Sequence, residues 1–402
     1  MNILFVSNAF KLFADADCGG GNRTSMFITA LAQLGHVDVI SFDGSEIRGH
    51  GKNVSIVHHQ RIDRQQNITK WSRRRQMCIG WLKLLFHPLQ PESYFPIDRN
   101  KEVCIDSFMD KKEYDLVACR YIETAASCGL LKYSSKLVID VDDRLSSSIR
   151  RDIDTTVFSH IWEKWFLQFK TIYIDKMVEN VLRNVVSSFY SNSLEKVSAK
   201  SVFLHNVSLL TTPCPFIVEK TPKRLLIVGH LNFPPNKQGT LYFAETVFPQ
   251  VRDVVPDAEL HIVGRNNDTL FAERLSKIEG VFIKGFVEDI RDEYENARAV
   301  IVPIYTGSGS SVKFVEALQL RKAIISTPCG IRGYENIFKD REHYILSEND
   351  RQFSENCILL LNNHNLCNRI AEAGCSVAKE HLSQSNFISI VENTIKSSMN
   401  KQ

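Results

Sequence analysis

The stretch AVIVPIYTGSGSSVKFVEALQLRKAIISTP, residues 299–328, decides the fold. It opens on a β-branched apolar run, breaks at a glycine and serine segment, continues with a helical apolar pattern, and closes on a second apolar run. Two such runs joined through a helix predict parallel strands buried on both faces of a sheet. The same cycle extends upstream through VFIKGF at 281–286, ELHIVG at 259–264 and RLLIVG at 224–229. An earlier set comprises NILFVS at 2–7, VDVISF at 37–42, LVACR at 116–120 and LVIDV at 137–141. Between the sets, TTPCPFIVEKTPK at 211–223 carries three prolines, which remove backbone donors and disfavour helix. We therefore expect two doubly wound α/β domains with their boundary near Pro213.

The composition agrees with that plan. With 402 residues, 44% hydrophobic and 24% charged, the chain is too long for one core and too apolar to be disordered. Its 49 basic and 46 acidic residues leave a net charge of +3, which excludes nucleic acid as the principal partner. No basic run precedes the opening apolar stretch, which Ser7 and Asn8 interrupt, so no secretory leader is expected. No run approaches the ~18 apolar residues that span a bilayer. The ten cysteines show no CxxC or clustered Cys/His spacing. We expect reduced, packing cysteines in a cytoplasmic protein and no metal site. A long helix from about Phe158 to Leu182 is expected to bury Ile161, Trp165, Phe169, Ile172 and Met177 on one face. The last 50 residues read as consecutive helices, the final one carrying Ile388, Ile390, Val391 and Ile395.

Ligands of open α/β sheets bind beyond the carboxyl ends of the strands, so the loop after AVIVPI is the first candidate. There Gly307, Ser308, Gly309, Ser310 and Ser311 lead into a helix. Glycines admit close backbone approach, hydroxyls donate, and the exposed N–H groups of a helix start favour an anion such as a diphosphate. Lys313 adds positive charge. Glu316, one turn further on, can accept two hydrogen bonds from a vicinal diol such as a ribose. A flexible loop ahead of a helix is the plainer alternative.

GFVEDIRDEYENARAVIVPI and GSGSSVKFVEALQLRKAIISTPCGIRGYE together resemble the donor half of family 4, or group 1, GT-B glycosyltransferases. GHLNFPPNKQG at 229–239 resembles that family's first donor loop, and PDAELHIVG the strand after it. The resemblance implies a GT-B fold: two Rossmann-like domains, 1–212 and 213–383, facing a central cleft, with helix 384–402 packing back on the first. It implies that Glu316 holds the ribose, that Gly229 lies beside the donor phosphates, and that Gly285, Phe286 and Val287 lie near the base. The first glutamate of the family's Glu-x7-Glu motif, expected near the sugar hydroxyls, has no counterpart at Ser308 or Thr306. His230 stands near its usual arginine, and Asn236 and Lys237 straddle its usual lysine. Lys237, Arg265 and Lys313 are thus the candidate cations, with Lys313 and Lys237 stabilising the leaving diphosphate.

In the first half, CGGGNRTSMFITALAQLGHVDVISFD resembles the family's acceptor-side loop and helix, which nominates Gly20, Gly21, Asn22 and Arg23, joined by Arg120 after LVACR. It is neither a GxGxxG fingerprint nor a Walker A loop. The carboxylates of IDVDDR, residues 139–144, allow a metal-binding DxD motif, cleft residues Asp142 and Asp143 binding acceptor hydroxyls or acting as a base, or a helix cap at Asp143.

The expected activity is metal-independent, retaining transfer of a sugar from a nucleoside diphosphate to a hydroxyl of a glycan, lipid-linked or protein acceptor, in glycan or polysaccharide assembly. The alternatives are a nucleotide-sugar epimerase of the same fold and a non-catalytic nucleotide-sugar-binding scaffold. Residues 61–86 interleave Arg61, Arg64, Lys70, Arg73, Arg74, Arg75 and Lys83 with Trp71, Trp81, Leu82, Leu84, Leu85 and Phe86. That pattern suits either peripheral contact with an anionic membrane or a solvated basic face with its apolar side in the core.

Overall fold

The computed structural model describes residues 1–8, 11–13, 19–44, 47–60, 79–155, 161–191, 198–307 and 310–400. It contains two compact units: Met1–His205 with Phe387–Gln402, and Asn206–Asn386.

In the first unit seven parallel strands lie in the order β3-β2-β1-β4-β5-β6-β7. They are β1 Asn2–Ser7, β2 His36–Ser41, β3 Val54–His58, β4 Leu116–Arg120, β5 Leu137–Asp142, β6 Ser187–Tyr190 and β7 Ser201–Phe203. β1 sits between β2 and β4, with Ile3 opposite Val37 on one side and Leu116 on the other. Helices cover both faces, so Ile3, Leu4, Phe5 and Val6 are wholly buried. Each such side chain contributes roughly 1.5–3 kcal/mol over leaving it in water.

The second unit repeats the plan with six parallel strands in the order β10-β9-β8-β11-β12-β13. These are β8 Arg224–Val228, β9 Glu259–Val263, β10 Val281–Gly285, β11 Ala299–Val302, β12 Ala323–Ser326 and β13 Ile345–Leu346. Leu225, Leu260, Ile301 and Ile325 form the centre of its core, against Phe243, Phe248 and Phe353 from the helices.

Some expectations need correction. The long helix runs Ile161–Asn184, but its apolar phase differs from the expected one: Ile161, Trp165 and Ile172 are more than 60% exposed, while Ile174, Met177, Val178 and Leu182 are buried. A stripe at i, i+3, i+4 and i+8 on the C-terminal half meets the core, Phe166 and Phe169 pack against its edge, and Trp165 lies off it. The proline-rich stretch at 211–223 belongs to the second unit rather than forming its border. There the Cys214 N–H donates to Leu320 O at 2.9 Å and the Ile217 N–H to Asn368 Oδ1 at 3.0 Å. The final helix, Gln384–Met399, buries Phe387, Val391 and Ile395, and the chain from Phe387 onward groups with the first unit. The cysteines among the described residues are free, and no described helix is long and apolar enough to cross a membrane.

Candidate functional site

In the second unit β8 is the pivot of the sheet. The chain leaves it towards β9 on one side, whereas β11 and β12 build the other. Loops departing in opposite directions from adjacent strands leave a crevice at their carboxyl ends, and the sequence candidates gather there.

From β8 comes Gly229, followed by helix Pro234–Tyr242, which carries Asn236 and Lys237. From β11 comes the loop through Gly307, then helix Val312–Gln319 with Lys313 in its first turn and Glu316 in its second. Lys313 Nζ donates to Asn236 Oδ1 at 2.5 Å, and Asn236 Nδ2 donates to His230 O at 3.0 Å. A Cβ on Gly229 would lie 3.0 Å from Asn236 Nδ2 and 3.1 Å from Lys313 Nζ, so this position lies directly against both side chains. Burial of the Lys313 ammonium, with no carboxylate among the described residues to offset it, lowers its pKa to about 8. The group is thus a buried ammonium held by a neutral amide.

Glu316 accepts a hydrogen bond from the wholly buried Tyr294 hydroxyl at 2.7 Å. Burial raises the carboxyl's pKa, and the tyrosine's hydrogen bond opposes the rise. The contact fixes one carboxylate oxygen, Oε1. Ser311 caps the helix in extended backbone, and its Oγ is shut off from solvent without a hydrogen-bond partner among the described residues. Ser310 Oγ accepts from Asn206 Nδ2 at 2.7 Å. Gly307 O accepts from Arg332, which also reaches Cys329 Sγ at 3.3 Å. Ser308 and Gly309 lie outside the described residues.

Across the neighbouring strand ends, Gly264 takes φ +146°, and a Cβ there would stand 1.8 Å from Gly229 O. Only glycine lets the β8 and β9 loops approach so closely. Arg265 stacks over the Phe286 ring at 4.7 Å, beyond Gly285 at the end of β10, and Phe286 is exposed with Val287 half-buried beside it. Lys237 differs from Lys313: it is paired with Asp268 at 2.5 Å, so its charge already has a partner. Tyr294, Arg332 and Asn206 are the contributors that sequence reasoning missed. Arg332 and Tyr294 lie inside quoted motifs, but no local spacing announces that they brace Gly307 and Glu316.

The first unit places its candidates at the equivalent point, between β1 and β4, and binds most of them to one another. Gly20 and Gly21 form the first turn of helix Gly19–Leu31 rather than a free loop, with Asn22 half-buried beside them. Arg23 is buried and grips Asp140 through Nε and Nη2, both at 2.8 Å, while its Nη1 donates to Leu204 O at 2.9 Å. Arg120, also buried, has Nε 2.8 Å from Asp140 Oδ2 and Nη2 2.5 Å from Asp142 Oδ2. Its Nη1 donates to Gly20 O at 2.5 Å. Burial would raise the Asp142 carboxyl, but Arg120 and Arg23 overcome it and hold the pKa below the usual carboxylate value.

Asp142, at φ +64°, and Tyr121, at φ +67°, both adopt the left-handed region where β5 and β4 end. Arg23, Arg120 and Asp142 thus form one buried ion-pair cluster with Asp140. Two guanidiniums and two carboxylates neutralise one another inside the unit, which accounts for all three by ion pairing and leaves no carboxylate pair open to a metal. Asp143 is half-buried just past the strand. Among the described residues, no group of three or more His, Cys, Asp or Glu side chains could hold a metal ion.

Residues 222–363 match the family model for glycosyl transferases group 1. An uncharacterized 44.6 kDa protein in the cps region of Klebsiella pneumoniae is 24% identical over 335 residues, covering 79% of this chain and 81% of that protein. The structure of sucrose-phosphate synthase from Thermosynechococcus elongatus superposes with a TM-score of 0.69 at 12% identity, over 100% of both chains. Anabaena HepE in complex with UDP and glucose gives 0.61 at 13%, again over 100% of both. The fold is GT-B, and within its second unit residues 222–363 are similar to group 1 glycosyl transferases.

Proposed function

We propose that the chain transfers a sugar from a nucleoside diphosphate to a hydroxyl acceptor, with retention at the anomeric carbon, during polysaccharide assembly. The observation that carries this reading is the pairing of two ligand groups on one helix. Lys313, buried without a carboxylate, meets the diphosphate, and Glu316, braced by Tyr294, takes the ribose diol. The Ser311 hydroxyl and the helix start add donors to the same anion. As the anomeric carbon–oxygen bond breaks, negative charge grows on the departing diphosphate. A preorganised cation there is worth about 3–4 kcal/mol. The acceptor oxygen bonds to the same face, and its proton leaves with the diphosphate. Lys237, Arg265 and the backbone beside Gly229 line the donor's path. The Klebsiella relative's place in a cps region favours a glycan acceptor.

UDP-glucose heads the donor panel, because the HepE protein has been solved with UDP and glucose. Calorimetry of the full chain with UDP, GDP and their sugars should show binding that Glu316→Ala weakens at least tenfold with the fold intact. Unchanged titration would remove the reading. Incubating the donor alone separates the alternatives: an epimerase yields product without acceptor, and a scaffold yields none with any acceptor.

We also propose peripheral contact with an anionic membrane through the first unit. Residues 61–78 lie outside the described ones, but the helix over 79–86 leaves Ile79, Leu82, Leu85 and Phe86 exposed, Phe86 by 74%. Trp81 lies against Phe166 at 4.0 Å, which sets this helix beside the one presenting exposed Ile161 and Trp165.

A further inference from the structure

Beside the loop that leads to Gly307, the second unit holds an open pocket of about 410 Å³ lined by Pro235, Gln238, Gly239, Tyr242, Tyr305 and Thr306. Its volume falls in the range of roughly 300–1,000 Å³ typical of small-molecule sites. Two half-exposed rings form a corner: Tyr242 and Tyr305 stand at 75° with centroids 5.0 Å apart. The corner is held in place. The Tyr242 hydroxyl donates to Asp350 at 2.6 Å, and Gly239 packs so closely on Pro303 that a Cβ would lie 1.8 Å from its carbonyl oxygen.

The chemistry of this lining selects its ligand. No lining residue among the described ones carries a charge, and the group that holds the Tyr242 hydroxyl, Asp350, is an acid, so a second phosphate is disfavoured. A wholly apolar ligand would leave the Gln238 amide and Thr306 hydroxyl unanswered. A pyranose ring satisfies both demands, because its C–H face packs on an aromatic ring while its hydroxyls pair with neutral amides and hydroxyls. We propose that this pocket is a carbohydrate subsite for a neutral pyranose unit, supplied either by the donor's glycosyl group or by the glycan being extended. The assignment rests on the transferase reading for its source of sugar, and on the pocket alone for its chemistry.

Saturation-transfer NMR on the full chain with methyl α-glucopyranoside, methyl α-galactopyranoside and methyl α-mannopyranoside tests it without nucleotide. At least one glycoside should receive saturation, and Tyr305→Ala or Tyr242→Ala should weaken its binding about tenfold. Gln238→Leu, which keeps both rings, covers the case in which a tyrosine variant fails to fold and should weaken binding also. UDP titration of the same samples separates the two proposals, since intact UDP binding without any glycoside signal overturns the subsite alone. Glycoside binding without UDP binding supports the subsite and removes the diphosphate site. If the sugar is the donor's, UDP-glucose should lose its margin over UDP in Tyr305→Ala. If it is the glycan's, that margin should persist while the acceptor KM rises about tenfold. Saturation equal in the parent and all three variants overturns the proposal.

Discussion

The Lys313 ammonium donates to Asn236 Oδ1 at 2.5 Å and thereby ties the helix after β11 to the helix after β8, across the point where the sheet's connections diverge. This lysine has a neutral partner and a pKa lowered to about 8 by burial. A diphosphate placed beside it would restore the charged form.

The pH dependence of donor binding follows. Below pH 8 the free protein already carries the ammonium, and binding takes up no proton there. Above about pH 8 the free lysine is increasingly neutral while the bound one stays charged, so affinity should fall by up to about tenfold per pH unit. Calorimetry in buffers of different ionisation enthalpy should show proton uptake at pH 9 and none at pH 7. Lys313→Met should weaken UDP binding by about 2–4 kcal/mol at pH 7 and flatten the profile. An unaltered slope in that variant would assign the titration elsewhere.

Tyr294 and Glu316 give a subtler test. Tyr294→Phe removes the hydroxyl held 2.7 Å from Glu316 Oε1 and leaves the ring in its buried place. A freed carboxylate pays more to be ordered by the ribose, and it loses the hydrogen bond that restrains its raised pKa. Nucleoside diphosphate affinity should drop about fivefold, a cost near 1 kcal/mol. Inorganic pyrophosphate, which has no ribose, should bind both forms alike.

The ion-pair cluster of the first unit should act on stability. Asp140→Ala strips a carboxylate from two buried guanidiniums, and breaking such a pair from one side costs about 3–5 kcal/mol. Because the folded chain depresses the Asp142 pKa, its stabilisation is fully present above the unfolded value near 4 and drains away as pH falls through the lower folded value. Urea melts at pH 7 and pH 3 should show the parent losing this increment and Asp142→Asn losing less. Equal pH dependence in both proteins would place Asp142 outside the cluster's energetics.

What was legible in the sequence tracks how local the cause is. The nine apolar runs announced their strands because most are buried on both faces and draw on apolar, often β-branched residues, with only β10 alternating between buried and exposed positions. β3, β6, β7 and β13 gave no such signal: β3 buries only Val54, Ser187, Ser188 and Ser201 are buried, with Ser188 and Ser201 sharing a 2.7 Å hydrogen bond across the strands, and β13 has two residues. Lys313 and Glu316 could be read from a loop-to-helix spacing. That Arg23 and Arg120 share Asp140 could not, because those residues stand as much as 117 positions apart and meet only once the parallel order is set.

The exposed apolar face of the first unit yields the last prediction. Leu82, Leu85 and Phe86 are each at least half exposed, and Lys83 lies among them on the same short helix. Burying such side chains at a lipid interface returns roughly 25 cal/mol per Å² of apolar surface, and each nearby Lys or Arg adds about 1 kcal/mol on an anionic leaflet. Flotation with vesicles containing phosphatidylglycerol should therefore carry the chain upward at low salt and release part of it as salt rises. Leu82→Ser with Phe86→Ser should abolish flotation at every salt concentration, whereas neutralising Arg73, Arg74 and Arg75 should remove only its salt-sensitive part. Donor binding, which belongs to the second unit, should be the same in both variants. Flotation of the serine variant equal to the parent's would mean that this face is simply solvated.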